Sequence, residues 1–355
     1  MATTGITTTP PIPQIPGGED HEAARRVEIM PGAGLHRGVV TTQDLVPERV
    51  LSIEPRPGRH SQRRGKFHGA QYELPVRDVR VASSVMKGLT HLSRGIDLRL
   101  TSNKIAVGLT MLGAVVGAVA ARPEAGVRGA FAVGVGAFLA WAMGREIDPD
   151  RTLTATVAGL ITIAASVVIA APGLSALFAT LAAVRIIART TGLPPTILDI
   201  IGVSGIAAWA AFHPGWVAAV GVAIALIVDD RMTGPGEPAH HWQAWWGAVL
   251  GALVAVVAGV RRDAWTAPTA WEWTLVALGM AGALLLIRPT TVTSTGDLTK
   301  EPLRADRIRA GRWLAGIVAL LATLTEGDLG VASMLGVWSA LASGGLVQLT
   351  SRRGR

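Results

Sequence analysis

Two short acidic segments contain the residues best suited to chemistry in this chain. One runs from Gly144 to Arg151, and the other is an Asp-Asp pair at the end of a later apolar run. Their carboxylates belong to Glu146, Asp148, Asp150, Asp229 and Asp230. Mg²⁺ takes carboxylate oxygens as ligands and shares its remaining positions with substrate phosphates. These five residues are therefore candidate ligands for a metal that binds a diphosphate.

The first acidic segment also has a structural interpretation, which we favour. Asp148 is a good N-cap residue, and Pro149 would then occupy the first helical position. Asp150 would follow in the first turn, where the helix dipole favours negative charge. On this interpretation we expect no cofactor, and we assign no catalytic residue.

The order of the two acidic segments resembles the layout of the intramembrane aromatic prenyltransferases, in which acidic motifs lie in two cytoplasmic loops. The run from Arg145 to Asp148 is similar to the end of the first motif of that family. Such a resemblance implies a Mg-dependent enzyme that processes prenyl diphosphates. The chain departs from the pattern, because Ala140, Trp141 and Gly144 stand where the family has its Asn-Asp pair and middle Asp, and no DxxxD follows Asp229.

For other polar residues of the apolar region, the sequence pattern predicts structural roles. Arg185 and Asp199 lie on either side of a Pro-containing turn, and we expect a structural ion pair between them. The run from Thr269 to Glu272 has the pattern of a capping box at a helix start. Gly327 should end one helix and Asp328 begin the next.

Ten apolar runs between about residues 105 and 349 would position these residues. Mean hydropathy is +0.41, and only 16% of residues are charged, which is typical of a polytopic membrane protein. We predict an all-α bundle of ten transmembrane helices in five hairpins, with the shorter runs 216–228 and 313–324 also spanning. The predicted helices are 105–121, 127–143, 153–171, 174–189, 196–212, 214–229, 243–260, 270–287, 311–325 and 329–349.

The distribution of basic residues predicts how the chain threads. With a cytoplasmic amino terminus, the inner connections and C-terminus carry fourteen Lys and Arg residues, against four in the outer connections. This asymmetry indicates both termini inside and a location in the plasma (inner) membrane. All but one of the Trp residues fall near predicted helix ends, at the depth that indole rings prefer.

Four segments make up the predicted organisation: a disordered basic cytoplasmic tail (1–75), an amphipathic interfacial helix (76–100), the transmembrane domain (101–351) and a basic C-terminus (352–355). The tail and the interfacial helix should bind anionic lipid of the inner leaflet. Their candidate lipid-binding residues are Arg56, Arg59, Arg63, Arg64, Lys66, Arg77, Arg80 and Lys87. A docking helix for a soluble partner would have the same pattern.

Three classes of function remain open on the sequence. We favour a non-catalytic scaffold or pore-forming subunit, because the predicted helix centres contain no Asp, Glu, Lys, Arg or His. The alternatives are a permease for an apolar or zwitterionic solute, and the lipid-processing enzyme. The expected partners are membrane lipids and other protein subunits or copies of this chain, and not nucleic acid, although the net charge is +8. The chain has no cysteine, which excludes disulfides and thiolate metal sites.

Overall fold

The computed structural model describes residues 90–92, 95–120, 126–234, 242–260, 265–288 and 291–353. These residues form eleven α-helices and two isolated β-bridges, and they contain no strand. The predicted all-α class is therefore confirmed for the described part of the chain. The tail 1–75 and the eight candidate lipid-binding residues lie outside it.

The helix bounds follow the apolar runs closely, with two differences. The helices are α1 Thr101–Ala120, α2 Gly126–Ile147, α3 Thr152–Val168, α4 Leu174–Ala188, α5 Ile197–Ala211, α6 Val217–Arg231, α7 Trp242–Val260, α8 Ala270–Leu286, α9 Ala305–Glu326, α10 Asp328–Ser333 and α11 Leu335–Arg353. Helix α9 begins six residues earlier than predicted. The last predicted helix is divided at Met334 into α10 and α11.

Three of these helices, α1, α2 and α9, are long and apolar enough to cross a membrane. Four others, α3, α4, α5 and α8, are apolar but shorter. The short run 313–324 belongs to α9, and the early start of that helix extends it to 22 residues.

The central element of the bundle is α11, which packs against α8, α3 and α2. Small residues allow the close approach of α8. A side chain added at Gly279 would overlap the ring of Trp338, and one added at Gly282 would overlap the carbonyl of Leu341. Trp338 and Leu341 are both fully buried. The α8–α11 contact is therefore made almost backbone to backbone.

The prediction of five hairpins is wrong for the second and fourth pairs. Among the described residues, α3 packs against α2 and α11 rather than α4, and α8 packs against α11 rather than α7. Short connections bring helix ends together, but they do not oblige the two axes to pack side by side.

At one end of the bundle, the last residue of α9 and the residues of α10 contact three interhelical loops. The Gly173 amide donates to the Ala332 carbonyl (3.3 Å), and the Asp328 amide donates to the Thr266 carbonyl (3.0 Å). The Gly215 amide donates to the Glu326 carboxylate at 2.5 Å. As predicted, α9 ends at Gly327, whose φ of +64° favours glycine.

The residues that precede α1 differ from the predicted interfacial helix. Residues 76–89 lie outside the described part, and residues 90–92 and 95–100 are not helical. Thr90, His91 and Leu92 instead contact the end of α4, the start of α5 and the turn between them. The His91 amide donates to Asp199 at 2.9 Å, and the Leu92 carbonyl accepts from Arg185 at 3.2 Å. These polar contacts satisfy backbone groups that a helix would have paired internally.

Candidate functional site

At the other end of the bundle, which we call the arginine end, α9 begins where α2, α4, α6 and α8 finish. Two arginines of α9 make the contacts. Arg312 donates to the carbonyls of Ile147 and Leu286, both at 2.7 Å. Arg307 donates to the Ile187 carbonyl at 3.1 Å and to Asp229 at 2.6 Å. One helix therefore provides cations to the carboxyl ends of four others, where the helix dipole favours positive charge.

Both arginines are almost completely buried, with 2% of Arg307 and 5% of Arg312 exposed. The helix predicted from residue 311 would place Arg312 at a helix start. In the structure α9 instead begins at Ala305 and places Arg312 two turns inside the bundle. The terminal carbonyls of α2 and α8 lack partners within their own helices and take the place of water around the guanidinium.

The carboxylate of Asp229 is the most enclosed acidic group of the candidate site. It is 0% exposed and receives two parallel bonds from Arg189, at 2.8 and 2.9 Å, in addition to that from Arg307. Arg189 follows α4 in a left-handed conformation with φ of 45°, which a non-glycine residue seldom adopts. The bidentate ion pair holds this arginine in place.

Glu146, which is 1% exposed, forms a second buried pair in the same layer. Arg185 donates to one of its carboxylate oxygens at 2.9 Å, and the hydroxyl of Thr190 donates to the other. The predicted ion pair of Arg185 with Asp199 is therefore wrong. Asp199 instead completes a capping box with Thr196, whose amide donates to it at 2.8 Å. A carboxylate in the third helical position reaches its own N-cap more easily than a side chain across the turn.

Asp148 is not the N-cap of α3 and Asp150 does not lie in its first turn, so both predictions are wrong. The helix begins at Thr152. Asp148 accepts from the hydroxyl of Thr154 at 2.8 Å and from Arg151 at 3.3 Å. Its partners are therefore side chains, whereas an N-cap would bind backbone amides.

Asp150 connects the α2–α3 loop to the segment that precedes α9. It accepts from the amide of Ser294 at 2.7 Å and from the amide of Thr293 at 3.1 Å, together with both hydroxyls. Burial opposes ionisation of this carboxyl, but the hydrogen bonds from Ser294 and Thr293 outweigh it and lower its pKa below 3.8.

The structure does not gather the candidate carboxylates into a metal centre. Within the described ranges, no three His, Cys, Asp or Glu side chains lie close enough together to hold a metal ion. Glu146, Asp148, Asp150 and Asp229 each accept hydrogen bonds from named partners, as described above. Asp230, the fifth candidate, is half-buried beside Asp229 at the end of α6.

A cleft of about 320 Å³ opens beside the buried charges. Its walls include Arg145 and Asp297, which have opposite charges, and the hydroxyl-bearing residues Thr190 and Thr295. Through Thr190 the cleft adjoins the Glu146 carboxylate.

Sequence reasoning missed Arg189, Arg307 and Arg312 as members of this site. Two signals were available in the sequence. One was the five-residue spacing of Arg307 and Arg312 immediately before an apolar run. The other was the position of Asp229 at a helix end, where a buried carboxylate requires cations.

Comparisons with protein-family models, with curated proteins and with solved structures give no significant match. The site is therefore interpreted from its own geometry, which is a layer of buried arginines that neutralises the buried carboxylates.

Proposed function

We propose that this chain is a multi-pass protein of the plasma (inner) membrane that crosses the bilayer ten times, with both termini in the cytoplasm. Support comes from α1, α2 and α9, which are long enough to span. It also comes from exposed indole rings at both ends of the bundle. Those at the arginine end are Trp242, Trp245, Trp246 and Trp313, and those at the opposite end are Trp209, Trp265, Trp271 and Trp273. Each is 41–78% exposed, as expected for two interfacial belts.

Within the membrane, we propose that the bundle is a non-catalytic scaffold or pore-forming subunit. The observation that carries this proposal is the environment of Asp229, the most buried of the five candidate metal ligands. Both of its oxygens accept hydrogen bonds from arginine, at 2.6–2.9 Å. A carboxylate that is already neutralised by two guanidinium groups is a poor ligand for Mg²⁺. The acidic residues then serve to hold helix ends together.

A permease is the second candidate, and the division of the last helix at Met334 favours it. Transporters bind solutes where transmembrane helices are interrupted. The Met334 sulfur accepts from the buried Thr180 hydroxyl at 3.7 Å. Four residues later, the buried indole N–H of Trp338 has no acceptor among the described residues. The lipid-processing enzyme ranks third, because it requires the carboxylates that the arginines occupy.

Single cysteine probes test the membrane proposal, since the chain has no cysteine of its own. Probes at Glu301 and Ser351, near the arginine end, should react with an impermeant maleimide only from the cytoplasmic side. Probes at Ala171 and Ala267, near the opposite end, should react only from outside. All four positions are exposed. Labelling of Ala171 and Ser351 from the same side would contradict the threading.

Calorimetry with Mg²⁺ and pyrophosphate tests the functional class. We expect no saturable Mg-dependent binding by the full-length protein, and a loss of stability in Asp229→Asn. The exposed Asp306→Asn is the matched control. Saturable binding that Asp229→Asn abolishes without unfolding the protein, and that Asp306→Asn preserves, would instead establish the enzyme.

A further inference from the structure

The line of contact between α8 and α9, which we call the α8–α9 seam, is polar at the arginine end and apolar along the rest of the two helices. The helices run in opposite directions and meet where Arg312 donates to the Leu286 carbonyl at 2.7 Å. Further along, Gly316 faces the side chain of Ala283. Large apolar side chains on the two helices are exposed and form an apolar strip on the outer surface of the bundle. They are Leu284 on α8, and Ile317, Leu321 and Leu324 on α9.

Two arginines lie at the polar end of this seam. Arg288 follows Leu286 by two residues, and Arg309 precedes Arg312 by three. At a rise of 1.5 Å per residue, Arg309 lies roughly 4.5 Å beyond the contact. Arg288 follows the end of α8 in the same direction, because the two helices are antiparallel. Both cations therefore lie at the polar end of the seam. Trp313, 46% exposed, lies one turn from Arg309 toward the apolar strip.

Neither arginine has a hydrogen bond or ion pair from its side chain among the described residues. Arg288 is exposed and Arg309 is half-buried. The acid nearest to Arg309 along α9 is Asp306, which pairs with Arg304 at 2.7 Å. In contrast, the buried arginines of the same end all donate to carbonyls or carboxylates. The seam therefore presents two cations that are available to an anion from outside the bundle.

We propose that the α8–α9 seam binds one anionic phospholipid of the cytoplasmic leaflet. The guanidinium groups of Arg288 and Arg309 bind the headgroup phosphate, since this group matches the planar donor geometry of arginine. Trp313 lies at the glycerol level, and an acyl chain lies along Ile317 and Leu321. This inference rests on the proposed membrane location, and it names a partner for the folded bundle that is distinct from the lipid contacts expected of the tail.

Native mass spectrometry of the full-length protein tests this site, with phosphatidylglycerol and phosphatidylcholine offered in equal amounts. High salt during preparation weakens electrostatic contacts of the basic tail predicted for residues 1–75. We expect wild type to retain phosphatidylglycerol preferentially. R288Q/R309Q should lose about 25-fold in that preference, from about fivefold per cation. R231Q is the matched control. Arg231 is an exposed residue of α6 at the same end of the bundle, and its side chain has no partner among the described residues. It should behave as wild type.

Two further measurements separate the possible outcomes. R288K/R309K keeps both charges and should keep most of the preference, which distinguishes a lost site from a misfolded bundle. Equal loss in R231Q and R288Q/R309Q, or no preference in wild type, would overturn the proposal. Resistance of the protein to alkaline carbonate extraction is measured in parallel. A protein that stays in the membrane but shows no preference refutes the lipid site alone, whereas extraction of wild type refutes the membrane location.

Discussion

Replacement of Asp229 by alanine is the most direct test of the arginine layer. The substitution removes a fully buried carboxylate from between Arg189 and Arg307, which are 9% and 2% exposed. Removal of one partner from a buried ion pair costs about 3–5 kcal/mol, because the remaining charge is left desolvated. Here two cations share the carboxylate, at 2.6–2.9 Å, so we expect the upper part of that range.

Asp306→Ala provides the comparison. This aspartate also pairs with an arginine at 2.7 Å, but the two side chains of the pair are 43% and 53% exposed. An ion pair at the surface contributes about 0–1 kcal/mol. The free energies of unfolding can be compared by titration with sodium dodecyl sulfate in mixed micelles, followed by circular dichroism. If Asp229→Ala costs no more than Asp306→Ala, the buried layer does not stabilise the bundle.

Two further predictions concern packing and pH. Gly282→Ala should lower the free energy of unfolding by about 1–3 kcal/mol, because its methyl group would overlap the Leu341 carbonyl. The control Gly205→Ala faces open space and should stabilise α5 by up to about 1 kcal/mol. Equal effects of the two substitutions would contradict the close α8–α11 contact. The contact of Asp150 with Ser294 should be fully present above pH 3.8 and lost as the pH falls through the lower pKa of the folded state. Hydrogen exchange at the Ser294 amide reports this loss, and Asp150→Asn should remove the pH dependence.

Local patterns predicted most helix bounds, because each signal lies within a few residues of its effect. The capping box of Thr269 and Glu272 begins α8, and Gly327 ends α9, as their sequence patterns indicate. Met334 divides the last helix without a proline or glycine at that position. No local sequence signal therefore marks this break.

The site depended on distant contacts and could not be predicted in the same way. Arg189 and Asp229 are 40 residues apart, and Arg307 and Asp229 are 78 apart. An arginine-rich segment before an apolar run resembles a solvated connection unless its acceptors are known. The carbonyls that accept from Arg312 become available only when α2 and α8 end beside α9. The acidic residues were found from sequence, but their partners required the fold.

The contacts of α9 also determine when the bundle can be completed during synthesis. Ile147 leaves the ribosome 165 residues before Arg312, the residue that caps it. At roughly 5–20 residues per second, this interval is roughly 8–33 s. During that time the end of α2 lacks its cation. The ends of α4, α6 and α8 lack theirs for shorter intervals, 120, 78 and 26 residues of synthesis, and Asp229 lacks one of its two arginines. A nascent chain that stops before α9 therefore leaves these carbonyls and the Asp229 carboxylate unsatisfied. A misassembled bundle would present the same groups to membrane quality-control proteases.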